Sequence, residues 1–219
     1  PLTVVAINNA GDNVAREIAG SNGGTFVVRA DGSYSFTAGD DFRSLSAGER
    51  LDTAISYRIS DGQGGFDTAT LSVGVTGVND APVVVSPVGD QQGTDGASVR
   101  ITPAIIDRDN GDVLTYTVDN LPAGLTIDRD TGIISGTLAA DASVDAPYRI
   151  TVTAIDEAGA TVNDVFTLNV ANPAPDAAGE TGRVNEDADL VVAAANGVLA
   201  NDADPDGDML TVDQVAGQV

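Results

Sequence analysis

The chain has 219 residues, 42% of them apolar, with no cysteine and no histidine, and its 33 acids against 10 basic residues leave a formal charge of −23. That field repels nucleic acid and anionic membrane surfaces. Without cysteine or histidine there are no disulfides, Cys/His zinc sites, thiol nucleophiles or His-dependent triads, so carboxylate chemistry is what remains.

From the N-terminus, "TFVVRADGSYSF" (Thr25 to Phe36) reads as a hairpin turning at Asp31-Gly32. The stretch "DDFRSLSAGE" allows at most one helical turn, capped by Asp40 or Asp41. Next come "AISYRIS" and "TATLSVGV", the latter setting Ala69, Leu71, Val73 and Val75 on one face of a strand. "VLTYTV", "YRITVTAI" and "DVFTLNV" continue the alternation. "LVVAAANGVLA", from Leu190 to Ala200, is too short to span a bilayer and is interrupted by Asn196 and Gly197. The tyrosines and phenylalanines lie inside alternating runs and are expected in cores or cross-strand pairs. The fold class expected is all-β, with short loops rich in Gly, Asp and Asn, and the alternating apolar runs argue against disorder.

Self-comparison divides the chain. "DGQGGFDTATLSVGVTGVNDAP" and "DEAGATVNDVFTLNVANPAP" share one layout, an acidic Gly turn, a strand, then Asn and Pro, and begin 95 residues apart at Asp61 and Asp156. That offset is the size of one β-sandwich domain. "LTV" at Leu2, "LTYTV" at Leu114 and "LTV" at Leu210 form a second series. Three modules are expected: residues 1–80 as the later part of one, 81–173 as a complete one, and 174–219 as the beginning of a third, with 210–219 repeating the register of Leu2 to Gly11.

The acids concentrate in turns. "DADPDGD" alternates Asp202, Asp204, Asp206 and Asp208, with Gly207 where a sharp turn is needed. Hard cations such as Ca²⁺ take about 6 to 8 oxygen ligands around one point, and D-x-D-x-D-G supplies them from one loop. The flanks read as β, which argues against a helix-loop-helix, and a plain Asp/Gly turn is the alternative. "DRDNGDVLTY" repeats the arrangement with Asp107, Asp109 and Asp112, and Asn79, Asp80 and Asp156 are expected at the same end of the sandwich. Asp61 heads the equivalent turn of the first module and joins the candidate ligands.

"GTFVVRADGSYSF", "SYRISDGQGG" and "TGVNDAP" resemble the VCBS-type repeats of large bacterial surface adhesins, and "GVLANDADPDGDMLTV" resembles the opening of the same repeat or of a closely related cadherin-like module. "LPAGLTIDRDTGIISGTL" and "YRITVTAIDEAGA" are similar to dystroglycan-type cadherin-like domains. The resemblance implies tandem Ig-like or cadherin-like β-sandwich modules in an extended row, with Ca²⁺ at loops and junctions. It implies Asp107 and Asp109 as the paired acids of a cadherin-type site, Asp156 as the late-turn acid, Asn79 and Asp80 as linker ligands, and Glu186 as the early acid of the third module. Two departures stand out: the second linker keeps Asn172 without a following Asp, leaving Asp176 as a substitute. The early acid of the middle module is missing, with Gln91 and Gln92 nearby.

The expected function is a calcium-stabilised structural or adhesive segment of a secreted or cell-surface bacterial protein, partnered by neighbouring modules or other copies of itself. A strand-complemented filament and a module binding surface glycan or a protein ligand are the alternatives. Neither nucleic acid, membrane insertion nor catalysis is expected, because the acids recur in repeated turns instead of one cleft.

Overall fold

A computed structural model describes residues 1–213 together with Val215. The regular elements among them are β-strands and four short 3₁₀ turns. No helix among the described residues is long and apolar enough to cross a membrane. They form two compact units: the first comprises 1–83, 106–114 and 155–162, the second 84–105, 115–154 and the described residues from 163 onward.

In the first unit, strands β1 (Thr3–Ile7), β5 (Arg50–Ser60) and β6 (Phe66–Thr76) make one antiparallel sheet in the order β1-β5-β6. Strands β2 (Glu17–Ala19), β3 (Thr25–Val28) and β4 (Tyr34–Thr37) make another. The expected hairpin is β3–β4, with Val28 opposite Tyr34 and Gly32 at φ +88°. A register shift between Val4 and Ala6 brings both Val4 and Ile7 of β1 to one face, where with Ile55 they pack against Phe26 and Val28 of the other sheet, and Phe26 and Ile7 are fully buried. On β6, Leu71 and Val73 face this core while Ser72 and Thr70 are exposed, as the period of two requires. Phe66, 54% exposed, is a cross-strand residue instead of a core one: the Arg58 guanidinium stacks 3.9 Å above its ring.

The helical turn is the 3₁₀ segment Gly39–Phe42, and neither Asp40 nor Asp41 caps it. Both acids lie inside its first turn, because Asp41 is drawn to another donor: its carboxylate accepts the Gly24 N–H at 2.8 Å.

The second unit holds a four-stranded sheet in the order β11-β14-β15-β8, made of β8 (Gln91–Thr94), β11 (Thr115–Asp119), β14 (Tyr148–Ile155) and β15 (Thr161–Ala171). A three-stranded sheet of β9 (Ser98–Ile101), β12 (Leu125–Ile127) and β13 (Ile134–Thr137) is the other main layer, and β7 (Val83–Ser86) pairs with β10 (Ala104–Ile106) in a small two-stranded sheet. Its core is Tyr116, Ile150, Val152, Phe166 and Leu168 from the larger sheet with Ile101, Leu125 and Ile134 from the smaller, all buried. The pairing that matters most for the acidic loops is parallel: β8 runs alongside β15 with Thr94 opposite Ala171. Beyond Ala171 the described chain has no strand, and 210–213 are irregular. The remainder of the expected 210–219 repeat lies outside the described residues except for Val215.

Candidate metal centres

The first acidic cluster belongs to the first unit. Asp107, Asp109 and Asp112 each offer a carboxylate oxygen, and these oxygens lie within 4.8 Å of one another. Local chain geometry makes the loop: the Asp109 N–H donates to Asp107 Oδ1 at 2.9 Å, an Asx-type turn. The linker is tied to the same place. The Asp80 N–H donates to Asp109 Oδ2 at 2.9 Å, and Asn79 Nδ2 donates to Asp156 Oδ2 at 2.9 Å. Asp156 closes its own Gly turn by accepting the Ala160 N–H at 2.7 Å. Asn79, Asp80, Asp107, Asp109, Asp112 and Asp156 are therefore brought together by the fold.

Charges crowded this way need compensation. Asp109 is 4% exposed and Asp156 5% exposed, yet no arginine pairs with either among the described residues. Asp107 Oδ2 and Asp109 Oδ1 are buried without any hydrogen-bond partner. An unsatisfied buried polar atom costs about 1–3 kcal/mol, more when charged. Burial, followed by the charges of Asp107 and Asp109, holds the Asp112 carboxyl above the usual carboxylate range. The hydrogen bond from Asn79 holds Asp156 below it. Hard oxygen donors with two orphaned carboxylate oxygens fit a divalent cation of the Ca²⁺ type. Asp107, Asp109 and Asp112 are the residues able to hold it, with Asn79, Asp80 and Asp156 framing them.

The second cluster belongs to the second unit. Oxygens of Asp204, Asp206 and Asp208 also lie within 4.8 Å of one another. Asp204 Oδ1 accepts the N–H groups of Asp206 and Asp208 at 3.2 and 3.4 Å, and Gly207 takes φ +91°, so the Asp/Gly spacing itself curls the loop. Asp206 Oδ1 is buried with no partner. Hydrogen bonding with Asp204, then burial, then the charges of Asp204 and Asp208, push the Asp206 carboxyl up to about 6, while Asp204 is held low.

The Asn172 side-chain amide sits 3.0 Å from Asp206 Oδ2 and 3.3 Å from Asp95 Oδ2. With nitrogen on that side it donates to both carboxylates; with oxygen there, three oxygens converge as they do around a cation. Asp95 is the acid that the sequence reading missed. The parallel register of Thr94 with Ala171 makes Asp95 and Asn172 the first residues past the ends of two adjacent strands. Gln91 and Gln92 lie in the ladder itself, so the position beside the linker belongs to Asp95, three residues beyond Gln92. No local pattern signals this, because it depends on a pairing between distant strands.

Other candidates are placed elsewhere. Asp61 caps its own turn, accepting the Gln63 and Gly65 N–H groups at 2.7 and 2.9 Å. Asp202 accepts the Ala178 N–H at 2.8 Å and lies outside the Asp204–Asp208 group. Glu186 is exposed in irregular chain, and Asp176 pairs through its backbone with Ala203.

Comparison with known proteins gives two matched ranges. Residues 1–74 match a family model described as a bacterial Ig domain, and residues 81–171 one described as a putative Ig domain. Over 78 residues the chain is 35% identical to the calcium-binding lectin RapA2 of Rhizobium johnstonii, a stretch covering 35% of this chain and 33% of that protein. The chain thus spans about a third of the length of this relative. Among solved structures, mouse cadherin-23 EC22-24 superposes with a TM-score of 0.46 at 16% identity, covering 78% of this chain and 52% of that one. A protocadherin gammaB7 EC3-6 structure does so with a TM-score of 0.46 at 14% identity, covering 74% and 43%. The all-β architecture rests on the strand pairing described above, and the chain is similar to bacterial Ig-like domains over both matched ranges.

Proposed function

We propose that this chain is a calcium-stabilised structural and adhesive repeat segment of a bacterial surface or matrix protein, built as modules 1–80, 81–173 and 174–219 of the VCBS and cadherin-like type. Its work is mechanical, holding a binding region or a neighbouring cell at a distance. The observation that supports this most directly is the pair of buried, unpartnered oxygens on Asp107 and Asp109, beside a linker whose Asp80 N–H is bound to Asp109. Such an arrangement is unfavourable alone and favourable around a cation. The relative named a calcium-binding lectin supports the same reading, and its name motivates a glycan-array test with and without chelator.

Calcium titration with thermal melting tests the proposal. Asp109→Asn removes one buried charge, so in chelator its Tm is expected at or above that of the parent chain. In calcium the order reverses, because a ligand at about 100 times its Kd stabilises the parent by about 2.7 kcal/mol. An unchanged parent Tm on adding calcium refutes the cation reading.

A strand-complemented filament is the second reading. β6 pairs only with β5 among the described residues, whereas the corresponding β15 has β8 along its other side. An open edge of that kind accepts a strand from another molecule. Native mass spectrometry that finds only monomer across a wide concentration range removes this reading.

A further inference from the structure

We propose that Asn110 is a site of spontaneous covalent modification, at which ring closure with the Gly111 amide converts the asparagine to aspartate and isoaspartate and loosens the turn 109–112 from the loop around Ser44. The inference concerns the chain's own chemistry and needs no bound cation.

Asparagine is a thermolabile side chain, most of all before glycine, where no Cβ crowds the backbone nitrogen that must reach the side-chain amide carbon. The sequence holds three such steps, Asn22-Gly23, Asn110-Gly111 and Asn196-Gly197. The fold separates them. The Gly23 N–H donates to the Gly20 carbonyl at 3.3 Å, and Asn22 is itself held twice, its N–H donating to Thr53 Oγ1 at 3.2 Å and its Nδ2 to the Asp52 carbonyl at 2.8 Å. The Gly197 N–H donates to the Ala194 carbonyl at 3.1 Å, closing the 3₁₀ turn Ala194–Asn196. Among the described residues the Gly111 N–H has no acceptor and the Asn110 side chain no hydrogen bond, and both residues are exposed. The turn explains this: the Asp112 N–H donates back to the Asp109 carbonyl at 3.4 Å and Gly111 takes φ +91°, as the second central residue of a type II turn does. The amide joining Asn110 to Gly111 takes no part in that hydrogen bond.

Only water and hydroxide are needed as co-reactants. The Gly111 nitrogen gives its proton to hydroxide and attacks Asn110 Cγ; the new C–N bond closes a succinimide ring, and the side-chain nitrogen takes a proton from water and leaves as ammonia. Water then opens the ring at either carbonyl. One opening keeps the ordinary backbone with an aspartate side chain; the other routes the backbone through the former side chain, an isoaspartate with an extra methylene in the main chain. Asn110 is where the turn is fastened, its N–H donating to the Ser44 carbonyl at 3.0 Å and its carbonyl accepting the Ser46 hydroxyl at 2.8 Å. The added methylene lies between these two groups, so the isoaspartyl chain cannot hold both bonds at their present spacing. Either product also adds a negative charge to a turn that already carries Asp109 and Asp112.

Ageing the whole chain in chelator at mildly alkaline pH, with NaCl to screen the acids flanking the turn, and mapping its tryptic peptides over time tests this. The three steps fall in separate peptides, Glu17–Arg29, Asp109–Arg129 and Val184–Val219, and isoaspartate in each is read by enzymatic methylation of isoaspartyl carboxyls. Modification of Asp109–Arg129 should run about two- to tenfold faster than that of either other peptide, because its amide has no hydrogen bond to break. In urea, where the fold is gone, that lead should vanish. Asn110→Gln, at a side chain that bonds to nothing among the described residues, should abolish modification in this peptide and leave the others unchanged. Hydrogen exchange at 43–47 should be about two- to tenfold faster in the aged chain than in the fresh one, and unchanged by ageing in Asn110→Gln. Faster modification at Asn22 or Asn196, a lead that persists in urea, or one that survives Asn110→Gln overturns the assignment of the site. Modification at Asn110 with no change in exchange at 43–47 overturns the loosening.

Discussion

Asp206 has a carboxyl raised to about 6, first by hydrogen bonding with Asp204 and then by burial. A group raised above its unfolded value of 3.8 contributes stability that is full below that value and is lost as pH rises through the folded one. In chelator, protection of the 202–208 loop should therefore decline between about pH 4 and pH 7. In calcium the trend reverses, since the cation competes with the same proton. Asp206→Asn should flatten both profiles; a pH profile in chelator that rises over this window, or survives the substitution, defeats the assignment. Asp204, held low by the same hydrogen bond and by loop amides, loses its contribution only as pH falls through its depressed value, outside this window.

Among the elements, the strand signals in the sequence were sufficient wherever partners were close. The β3–β4 hairpin was legible because Asp31-Gly32 lies between two alternating runs, and Gly32 does take the left-handed conformation. The β8–β15 pairing was not legible: β8 reads "QQGT", with no apolar alternation, and its partner is 77 residues away, with Gln91 opposite Leu168. Strand β5 carries a buried polar pin that alternation alone does not identify. Thr53 is fully buried, its hydroxyl donating to the Gly23 carbonyl at 2.8 Å and accepting the Asn22 N–H at 3.2 Å. Thr53→Val should cost about 1–3 kcal/mol by leaving both backbone groups unpaired. Leu168→Ala in the core of the second unit should cost about 2–5 kcal/mol. Denaturant midpoints measure both, and a neutral Thr53→Val would show that water replaces the hydroxyl.

For the whole chain, the governing quantity is the charge of −23. The ion pairs among the described residues, Arg43 with Asp40 and Arg50 with Asp52, are exposed and contribute little. Most carboxylates are therefore compensated only by solvent, by amide donors, or by ions. In chelator, Tm should climb as NaCl is raised, because screening shortens the Debye length to about 8 Å at physiological salt. Millimolar calcium should exceed that gain and make Tm nearly insensitive to NaCl. Equal effects of calcium and of NaCl at matched ionic strength would reduce both clusters to screened surface charge.

Composition, period and turn residues by themselves determined the all-β class, the β3–β4 hairpin, and the two acidic loops, because each is encoded within a dozen neighbouring residues. Asn79, Asp80 and Asp156 could be nominated for one end of a module from their repeated positions, but their hydrogen bonds to one another and to Asp109 exist only in the folded chain. Asp95 belonged wholly to the tertiary structure. A parallel ladder carries no turn to mark it, so the acid beside Asn172 emerged only once Thr94 was seen opposite Ala171.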